Sequence, residues 1–169
     1  MEYVILVDKN DKPIGEMEKM EAHEKGLLHR AFSVFLFNKK GEMLLQQRAF
    51  AKYHSGGLWT NACCSHPRKG EVTIEAAHRR LEEEMGFDCE VKKAFDFIYK
   101  SKLDNDLTEH ELDHVFLGEY EGLIDPNPEE VESYKYISIS DLKEDVKSNP
   151  NSYTEWFKIC LEEVLSYLK

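Results

Sequence analysis

The sequence is short of the features that mark several classes of protein. Its 169 residues include only four cysteines, two of them adjacent at Cys63 and Cys64, which is far below the density of a secreted disulfide scaffold. No apolar run is long enough to cross a bilayer, and no basic-then-apolar secretory start is evident. We therefore expect a cytoplasmic protein with reduced thiols and no membrane partner.

Positive charge is also scarce. The chain has 22 Lys and Arg against 33 Asp and Glu, so its formal net charge is -11. Such a balance makes nonspecific binding to nucleic acid or to an anionic membrane a poor default. If the ligand is an anion, a bound metal or a local basic cluster must make the electrostatic potential at the binding site positive.

The pattern of residue types predicts an α/β (α+β) fold in one domain, residues 1–169. A β-branched and aromatic bias predicts strands at residues 3–7, 31–37, 43–48, 58–62, 89–101, 109–120 and 131–138. Helical patterns cover residues 73–85 and 153–169, with a shorter one around 141–147. Gly86 ends the first helix, and residues 38–41 form a hairpin turn.

A thiol and an imidazole stand two residues apart in the segment TNACCSHP, residues 60–67. On an extended segment Cys64 and His66 project to the same side and can serve one pocket. The alternative is a small buried hydrophobe beside a hydrogen-bonded histidine. Cys63 points to the opposite face, so we interpret it as a core residue.

Acidic residues alternate along the predicted strand at 109–120. Period two puts Glu109, Glu111 and Asp113 on one face, which is either a solvated face or a set of carboxylates converging on a cation. Imidazoles could come from elsewhere in the chain. A set of three histidines and two carboxylates favours a divalent ion such as Zn or Mn, and the candidates are His23, His29 and His66 with Glu109 and Glu111.

Three successive carboxylates, residues 82–84, lie in the last turn of the predicted helix at 73–85, where the helix dipole disfavours negative charge. A local rule broken in this way often marks a functional site. Pairs of Arg79 with Glu83 and of Arg80 with Glu84 are the alternative explanation, and they would not exclude metal binding.

This helix resembles the Nudix box. The residues in register are Glu71, Arg79, Leu81, Glu83, Glu84, Gly86 and Phe87. The chain departs from the box at Ser65, where the box has its first Gly, and at Arg80, where it has a carboxylate of the metal-holding core. The resemblance therefore implies a diphosphate-handling scaffold, and Arg80 argues against hydrolysis.

Further motifs resemble the type I isopentenyl-diphosphate isomerases. They are TNACCSHP, the EHE of residues 109–111, EKMEAH at 18–23, LLHRAFSVFLFN around His29, and RAFAKYHSGGLWTN at 48–61. The similarity covers nearly the whole chain. It implies a Nudix-like α/β/α arrangement of mixed sheet and flanking helices, with the Nudix core at roughly residues 29–165.

The resemblance also implies a reaction, the interconversion of isopentenyl and dimethylallyl diphosphate in isoprenoid biosynthesis. That reaction adds a proton at one carbon and removes one at another, which requires two positioned acid/base groups and a dry pocket. By similarity, Cys64 lies on one side of the substrate and Glu111 on the other, aided by the hydroxyl of Tyr99.

Metal and substrate contacts follow from the same resemblance. It implies that His23, His29, His66, Glu109 and Glu111 hold one divalent metal (Zn, Mn or Mg), and that Glu84 and the backbone carbonyl of Cys64 meet Mg2+ brought with the diphosphate. Lys19, Arg48, Lys52 and Arg80 would bind phosphate oxygens, and Trp156 would lie over the alkene. The alternatives are ordinary surface cations and a core tryptophan.

Two other functions stay open at this point. One is a Nudix diphosphohydrolase, and the other is a noncatalytic module with a structural zinc site made of His66, His29 and cysteines. His54, His78, His110 and His114 have no motif position and receive no catalytic role. The expected partner is a small allylic or homoallylic diphosphate, with no nucleic acid, and we expect a monomer or a weak homodimer.

Overall fold

A computed structural model of the protein describes residues 1–168. This part of the chain forms nine strands: β1 Tyr3–Val7, β2 Pro13–Glu18, β3 His29–Phe37, β4 Met43–Arg48, β5 Trp59–Thr60, β6 Cys63–Ser65, β7 Val91–Lys102, β8 Thr108–Glu119 and β9 Val131–Ile137. It also forms four α-helices: α1 Lys19–Lys25, α2 Thr73–Met85, α3 Ile139–Ser148 and α4 Glu155–Ser166. A single 3-10 turn, Pro150–Ser152, precedes α4.

Strand β3 is the centre of a mixed sheet. Along one edge it pairs in parallel with β8 over its whole length, from His29 to Phe37. Its other edge is shared in turn by β1, β6 and β4, all antiparallel. The remaining strands extend the sheet outward, β7 from β8 and β9 from β4. A nearly continuous apolar run suits a strand that is buried on both faces.

Two apolar clusters lie on opposite faces of the sheet. Phe32, Val34 and Leu36 of β3 pack with the buried residues of α2. Phe35 and Phe37 face the other way and pack with residues of α3 and α4. The predicted α/β/α arrangement, with a mixed sheet between flanking helices, is therefore confirmed.

The strand predicted at 58–62 is wrong in its bounds. Within that range the structure has only β5, and a further short strand, β6, begins beyond the predicted end, after Asn61 and Ala62. The side-chain amide of Asn61 donates to the carbonyl oxygens of Val34, at 3.1 Å, and Cys63, at 2.7 Å. Because this side chain takes an acceptor on β3, it interrupts the regular ladder of backbone hydrogen bonds.

Two elements were not predicted. Strand β2 is a polar, mostly exposed strand paired with β1, so it lacks the apolar alternation on which strand prediction depends. Helix α1 is only seven residues long; the carboxylate of Glu18 caps its start, and Gly26 ends it in the left-handed conformation.

The helix predictions were close. Helix α2 has the predicted bounds, while α3 is longer than the predicted 141–147. Helix α4 begins at Glu155, after the N-cap residue Thr154, and ends at Ser166; the predicted end at Lys169 lies outside the described residues. No helix formed by residues 1–168 is long and apolar enough to span a membrane.

Gly86 allows a direct test of the helix end. Gly86 and Gly70 both have φ of 75°, but a Cβ on Gly86 would collide with the carbonyl oxygen of Asp125, whereas one on Gly70 would meet nothing within 4 Å. We expect Gly70→Ala to cost about 1 to 2 kcal/mol of unfolding free energy, for the left-handed backbone alone. Gly86→Ala should cost roughly 1 to 3 kcal/mol more because of the collision.

Urea unfolding of the two variants measures this difference. Equal losses of stability would show that the chain around Asp125 moves aside without cost, and would contradict the tight packing at the end of α2.

Candidate active site

Strand register brings the predicted site residues together where β3 and β8 begin. His29 pairs with Glu111 across the parallel ladder, and Tyr99 on β7 pairs with Glu111 from the other side. Cys64 on β6 pairs with Ser33 on β3. Four strands therefore place a thiol, a phenol, an imidazole and a carboxylate on one end of the sheet.

The carboxylate of Glu111 is the hub of a buried polar cluster. Its Oε2 lies 3.2 Å from Nε2 of His29 and 2.8 Å from Nε2 of His66, while the hydroxyl of Tyr99 donates to Oε1 at 2.6 Å. His23 completes the group, because one ligand atom from each of His23, His29, His66 and Glu111 lies within 4.8 Å of all the others.

Backbone carbonyls orient two of these rings. Nδ1 of His23 lies 2.7 Å from the carbonyl oxygen of Lys19, and Nδ1 of His29 lies 2.8 Å from that of Leu27. A carbonyl can only accept, so each Nδ1 carries the proton and donates it. When the ring is neutral, the lone pair then lies on Nε2 and faces the cluster, which is how metal-binding imidazoles are usually held.

A second group adjoins the first and includes a residue that the sequence analysis left out. His54 lies in the loop after β4, and its Nε2 is 3.4 Å from Oε2 of Glu109. His23, His54 and Glu109 also present ligand atoms within 4.8 Å of one another. The only hint in the sequence is that His54 lies six residues after Arg48 within a family-like segment.

The donor set fits a divalent metal. Among residues 1–168, Nε2 of His23, Nε2 of His54 and Oε2 of Glu109 are buried and have no hydrogen-bond partner. Buried polar atoms are costly when they are unpaired, so three of them close together fit a site that holds a cation. Imidazole nitrogen and carboxylate oxygen are ligands for ions such as Zn2+ and Mn2+.

Burial sets the protonation of several groups. It raises the pKa of the Cys64 thiol and lowers the pKa of His54 to about 3, so both are neutral near pH 7. For Glu111, burial alone would raise the pKa, but the interaction with His29 and the hydrogen bond from Tyr99 outweigh it and lower the pKa to about 2. The cluster thus combines an ionised carboxylate with a protonated thiol.

The two adjacent cysteines face opposite sides of the sheet, as predicted. Cys64 lines the cleft together with His66 and Glu111. Cys63 is fully buried in the apolar cluster under α2. No cysteine sulphur within residues 1–168 joins either group of metal-binding atoms, which argues against the structural zinc site of histidines and cysteines.

The face that carries Glu109, Glu111 and Asp113 is not solvated, because all three are at most 4% exposed. The other histidines without a motif position lie away from both metal-binding groups. His78 contacts Asp88, His110 contacts the carbonyl of Gly26, and His114 contacts Asp11.

Four basic side chains predicted to bind phosphate line the same cleft. They are Lys19, Arg48, Lys52 and Arg80. They are not ordinary surface cations, since the side chains of Lys19, Lys52 and Arg80 are only 19%, 17% and 14% exposed and Arg48 is buried.

Acidic side chains hold three of these cations. Lys19 pairs with Glu2, while Oε1 of Glu130 accepts from Lys52 at 2.7 Å and from Arg80 at 2.8 Å. Both carboxylates line the cleft. Sequence reasoning missed them because neither lies in a motif.

Glu84 lies on the α2 side of Arg80. Its Oε2 accepts from Arg80 at 2.7 Å, and its Oε1 accepts from Gln46 at 3.1 Å. Both oxygens therefore have partners, and a metal at Glu84 would share these oxygens with Arg80 and Gln46 or displace them. Metal binding by Glu84 stays a prediction.

Trp156 borders the cleft rather than the apolar cluster of α4. Its ring lies 5.4 Å from the guanidinium carbon of Arg48 and 5.9 Å from the ring of His54. The start of α4 is fixed nearby, because the backbone N–H of Thr154 donates to Trp59 and its hydroxyl contacts Thr60. An aromatic face therefore stands at a defined position beside the reactive groups.

Known proteins resemble this chain closely. The family model described as NUDIX domain matches residues 27–157. Isopentenyl-diphosphate Delta-isomerase from Pectobacterium atrosepticum is 52% identical over 97% of this chain and 92% of its own length. Isopentenyl-diphosphate Delta-isomerase 2 from Photorhabdus laumondii is 54% identical over 93% of this chain and 89% of its own.

The chain belongs to the isopentenyl-diphosphate Delta-isomerase family within the Nudix superfamily. Solved structures agree on the fold. A Deinococcus radiodurans protein superposes with a TM-score of 0.77 at 14% identity, covering 95% of this chain and 98% of its own. The MutT protein of Methanosarcina mazei gives a TM-score of 0.68 at 18% identity, covering 84% and 96%.

Glu130 provides a test of the electrostatics of this isomerase-family cleft. Burial would raise the pKa of Glu130, but its bonds to Lys52 and Arg80 outweigh burial and lower it. A lowered folded pKa gives stability that is present above the unfolded pKa of about 4.3 and is lost as pH falls through the folded value. Glu130→Gln should therefore cost stability at neutral pH, and the cost should shrink in acid.

Unfolding free energies of the wild type and Glu130→Gln across this pH range measure the effect. Glu129→Gln is the matched control, because Glu129 is exposed and makes no ion pair within the described chain. A cost that stays constant with pH would contradict the ion pairs assigned to Glu130.

Proposed function

We propose that this protein isomerises isopentenyl diphosphate to dimethylallyl diphosphate and back. One observation carries the proposal: Cys64 and Glu111 line a single cleft that four basic side chains also line. Acid/base groups and phosphate-binding groups are thus within reach of one small molecule. The relatives with about half of their residues identical are named as enzymes of this reaction.

The chemistry needs one proton to be added and one to be removed. In the proposal, Glu111 and the hydroxyl of Tyr99 exchange the proton of the terminal carbon, and Cys64 exchanges the proton on the carbon next to the diphosphate-bearing one. One group gains a proton as the other loses one, so the number of protons on the substrate and on the enzyme does not change. A protonated Cys64 and an ionised Glu111, as in the free protein, suit removal of the terminal proton, which converts dimethylallyl to isopentenyl diphosphate. The reverse direction starts from an ionised Cys64 and a protonated Glu111.

The metal site in the proposal consists of His23, His29, His66, Glu109 and Glu111. A divalent ion there would supply positive charge that offsets the buried carboxylates, and Zn, Mn and Mg all remain candidates. Oε1 of Glu111 bonds to Tyr99, so this oxygen can exchange a proton while Oε2 faces the imidazoles.

Substrate contacts complete the proposal. Lys19, Arg48, Lys52 and Arg80 would bind the diphosphate, and Mg2+ brought with it would contact Glu84 and the carbonyl of Cys64. The electron-rich face of Trp156 would favour the positive charge that develops on the alkene. Exclusion of water from the cleft during the reaction would keep that charge from being trapped.

We also propose that residues 1–169 form one domain, with the Nudix core at roughly 29–165, and that the protein is a cytoplasmic monomer or weak homodimer. The four free cysteines support a reducing compartment.

The experiment that tests the function is proton and phosphorus NMR of the purified protein with isopentenyl diphosphate and Mg2+ in D2O. Dimethylallyl diphosphate carrying deuterium, with its diphosphate intact, is the expected product. Released phosphate or pyrophosphate would instead indicate a Nudix hydrolase and overturn the proposal. Arg80 argues against that outcome, because it occupies a carboxylate position of the box and pairs with Glu83 and Glu84.

The adjacent cysteines provide a matched pair of variants. Cys64→Ala should reduce turnover by about 10²- to 10⁴-fold, the usual contribution of an acid/base group. Cys63→Ala should keep most of the turnover, since its thiol faces the core, although it should lower stability. Turnover lost in Cys63→Ala and kept in Cys64→Ala would contradict the register of β6.

A further inference from the structure

We propose that His54 is a fourth imidazole ligand, which binds the same metal ion as His23 and Glu109. The inference rests on the metal site of the proposed function and adds a residue to it. The carrying observation is that Nε2 of His54, Nε2 of His23 and a carboxylate oxygen of Glu109 lie within 4.8 Å of one another.

Within the described part of the chain, carboxylate oxygens of Glu109 lie 3.4 Å from Nε2 of His54 and 3.9 Å from Nε2 of His23. Nε2 of His54, Nε2 of His23 and Oε2 of Glu109 are all buried and have no hydrogen-bond partner. A histidine that served only the core would have both ring nitrogens paired or one exposed to water. His54 is only 2% exposed, so its ring makes little contact with solvent.

The other ring nitrogen of His54 has a partner that suits metal binding. Nδ1 lies 3.0 Å from the hydroxyl oxygen of Ser55, which can accept a hydrogen bond from the Nδ1–H group. With Nδ1 as the donor, the lone pair lies on Nε2, toward Glu109. His23 and His29 have the same arrangement, except that backbone carbonyls accept from their Nδ1 atoms.

The loop holds His54 in place by several independent contacts. Ser55 has φ of 54°, in the left-handed region, and its backbone N–H donates to Oδ1 of Asp104 at 3.1 Å. The guanidinium of Arg48 donates to the carbonyl of His54 at 3.0 Å. Gly56 approaches the backbone of Phe50 too closely for any Cβ. A strained residue fixed from several sides is typical of a functional site.

A fourth imidazole would change which metal is preferred. Mg2+ favours oxygen ligands, whereas Zn2+ and Co2+ bind imidazole well. His54 should therefore raise the affinity for Zn2+ and Co2+ while adding little for Mg2+. Removing His54 should therefore lower the ratio of Zn2+ or Co2+ affinity to Mg2+ affinity.

Metal binding by the whole chain tests this inference without any assay of turnover. Competition with a chromophoric chelator gives the Zn2+ affinity of the wild type, His54→Gln and the control His78→Gln, whose imidazole bonds to Asp88 on the surface. We expect His54→Gln to lose about 10- to 100-fold in Zn2+ affinity and to change the Co2+ absorption spectrum. Mg2+ affinity should change less, and His78→Gln should match the wild type. Unchanged Zn2+ affinity and Co2+ spectrum in folded His54→Gln would overturn the inference.

A second measurement uses the wild type alone, in case His54→Gln does not fold. Long-range proton–nitrogen NMR on adding Zn2+ should show a shift of Nε2 of His54 together with those of His23, His29 and His66. A shift of the other three without His54, or a proton on Nε2 of His54 bonded to Glu109, would overturn the inference alone. Failure of the wild type to bind Zn2+ at all would overturn the proposed metal site as well.

Discussion

The burial of charge where β3 and β8 begin is the constraint on which the rest of the structure depends. Glu109, Glu111 and Asp113 lie within five residues on one face of β8, and all are removed from water. An isolated buried carboxylate costs several kcal/mol unless partners offset it. The surrounding imidazoles, Tyr99 and Ser33 supply such partners. Oε2 of Glu109 and Oδ1 of Asp113 have no hydrogen-bond partner in the described chain, and they mark where compensation is incomplete.

The sheet makes this concentration of polar groups possible. Two apolar layers, one under α2 and one under α3 and α4, stabilise β3 from both faces and leave its first residue, His29, to contact Glu111. The one-residue alternation of β6 then separates two identical thiols into a core position and a cleft position. The same strands thus carry both the apolar side chains of the core and the polar side chains of the cleft.

Sequence reasoning reached the long, regular elements and the residues in motifs. It located β3, β8 and α2 because their patterns are periodic, and it grouped His23, His29, His66 and Glu111 by resemblance. It failed where side chains replace backbone pairing, as at Asn61, and where a polar edge strand or a short helix gives no apolar pattern. Sequence reasoning missed His54 because its partners, His23 on α1 and Glu109 on β8, are far from it in the sequence, and no local spacing indicates the contact.

The double ion pair of Glu130 has a consequence for recognition. An anion that binds Lys52 and Arg80 competes with this carboxylate for both cations, so binding there exchanges one anion for another. A singly charged ligand gains little from such an exchange, whereas a ligand with several adjacent oxygens can satisfy both cations together. In this acidic protein, competition from Glu130 therefore favours the binding of polyanions over ligands with a single negative charge.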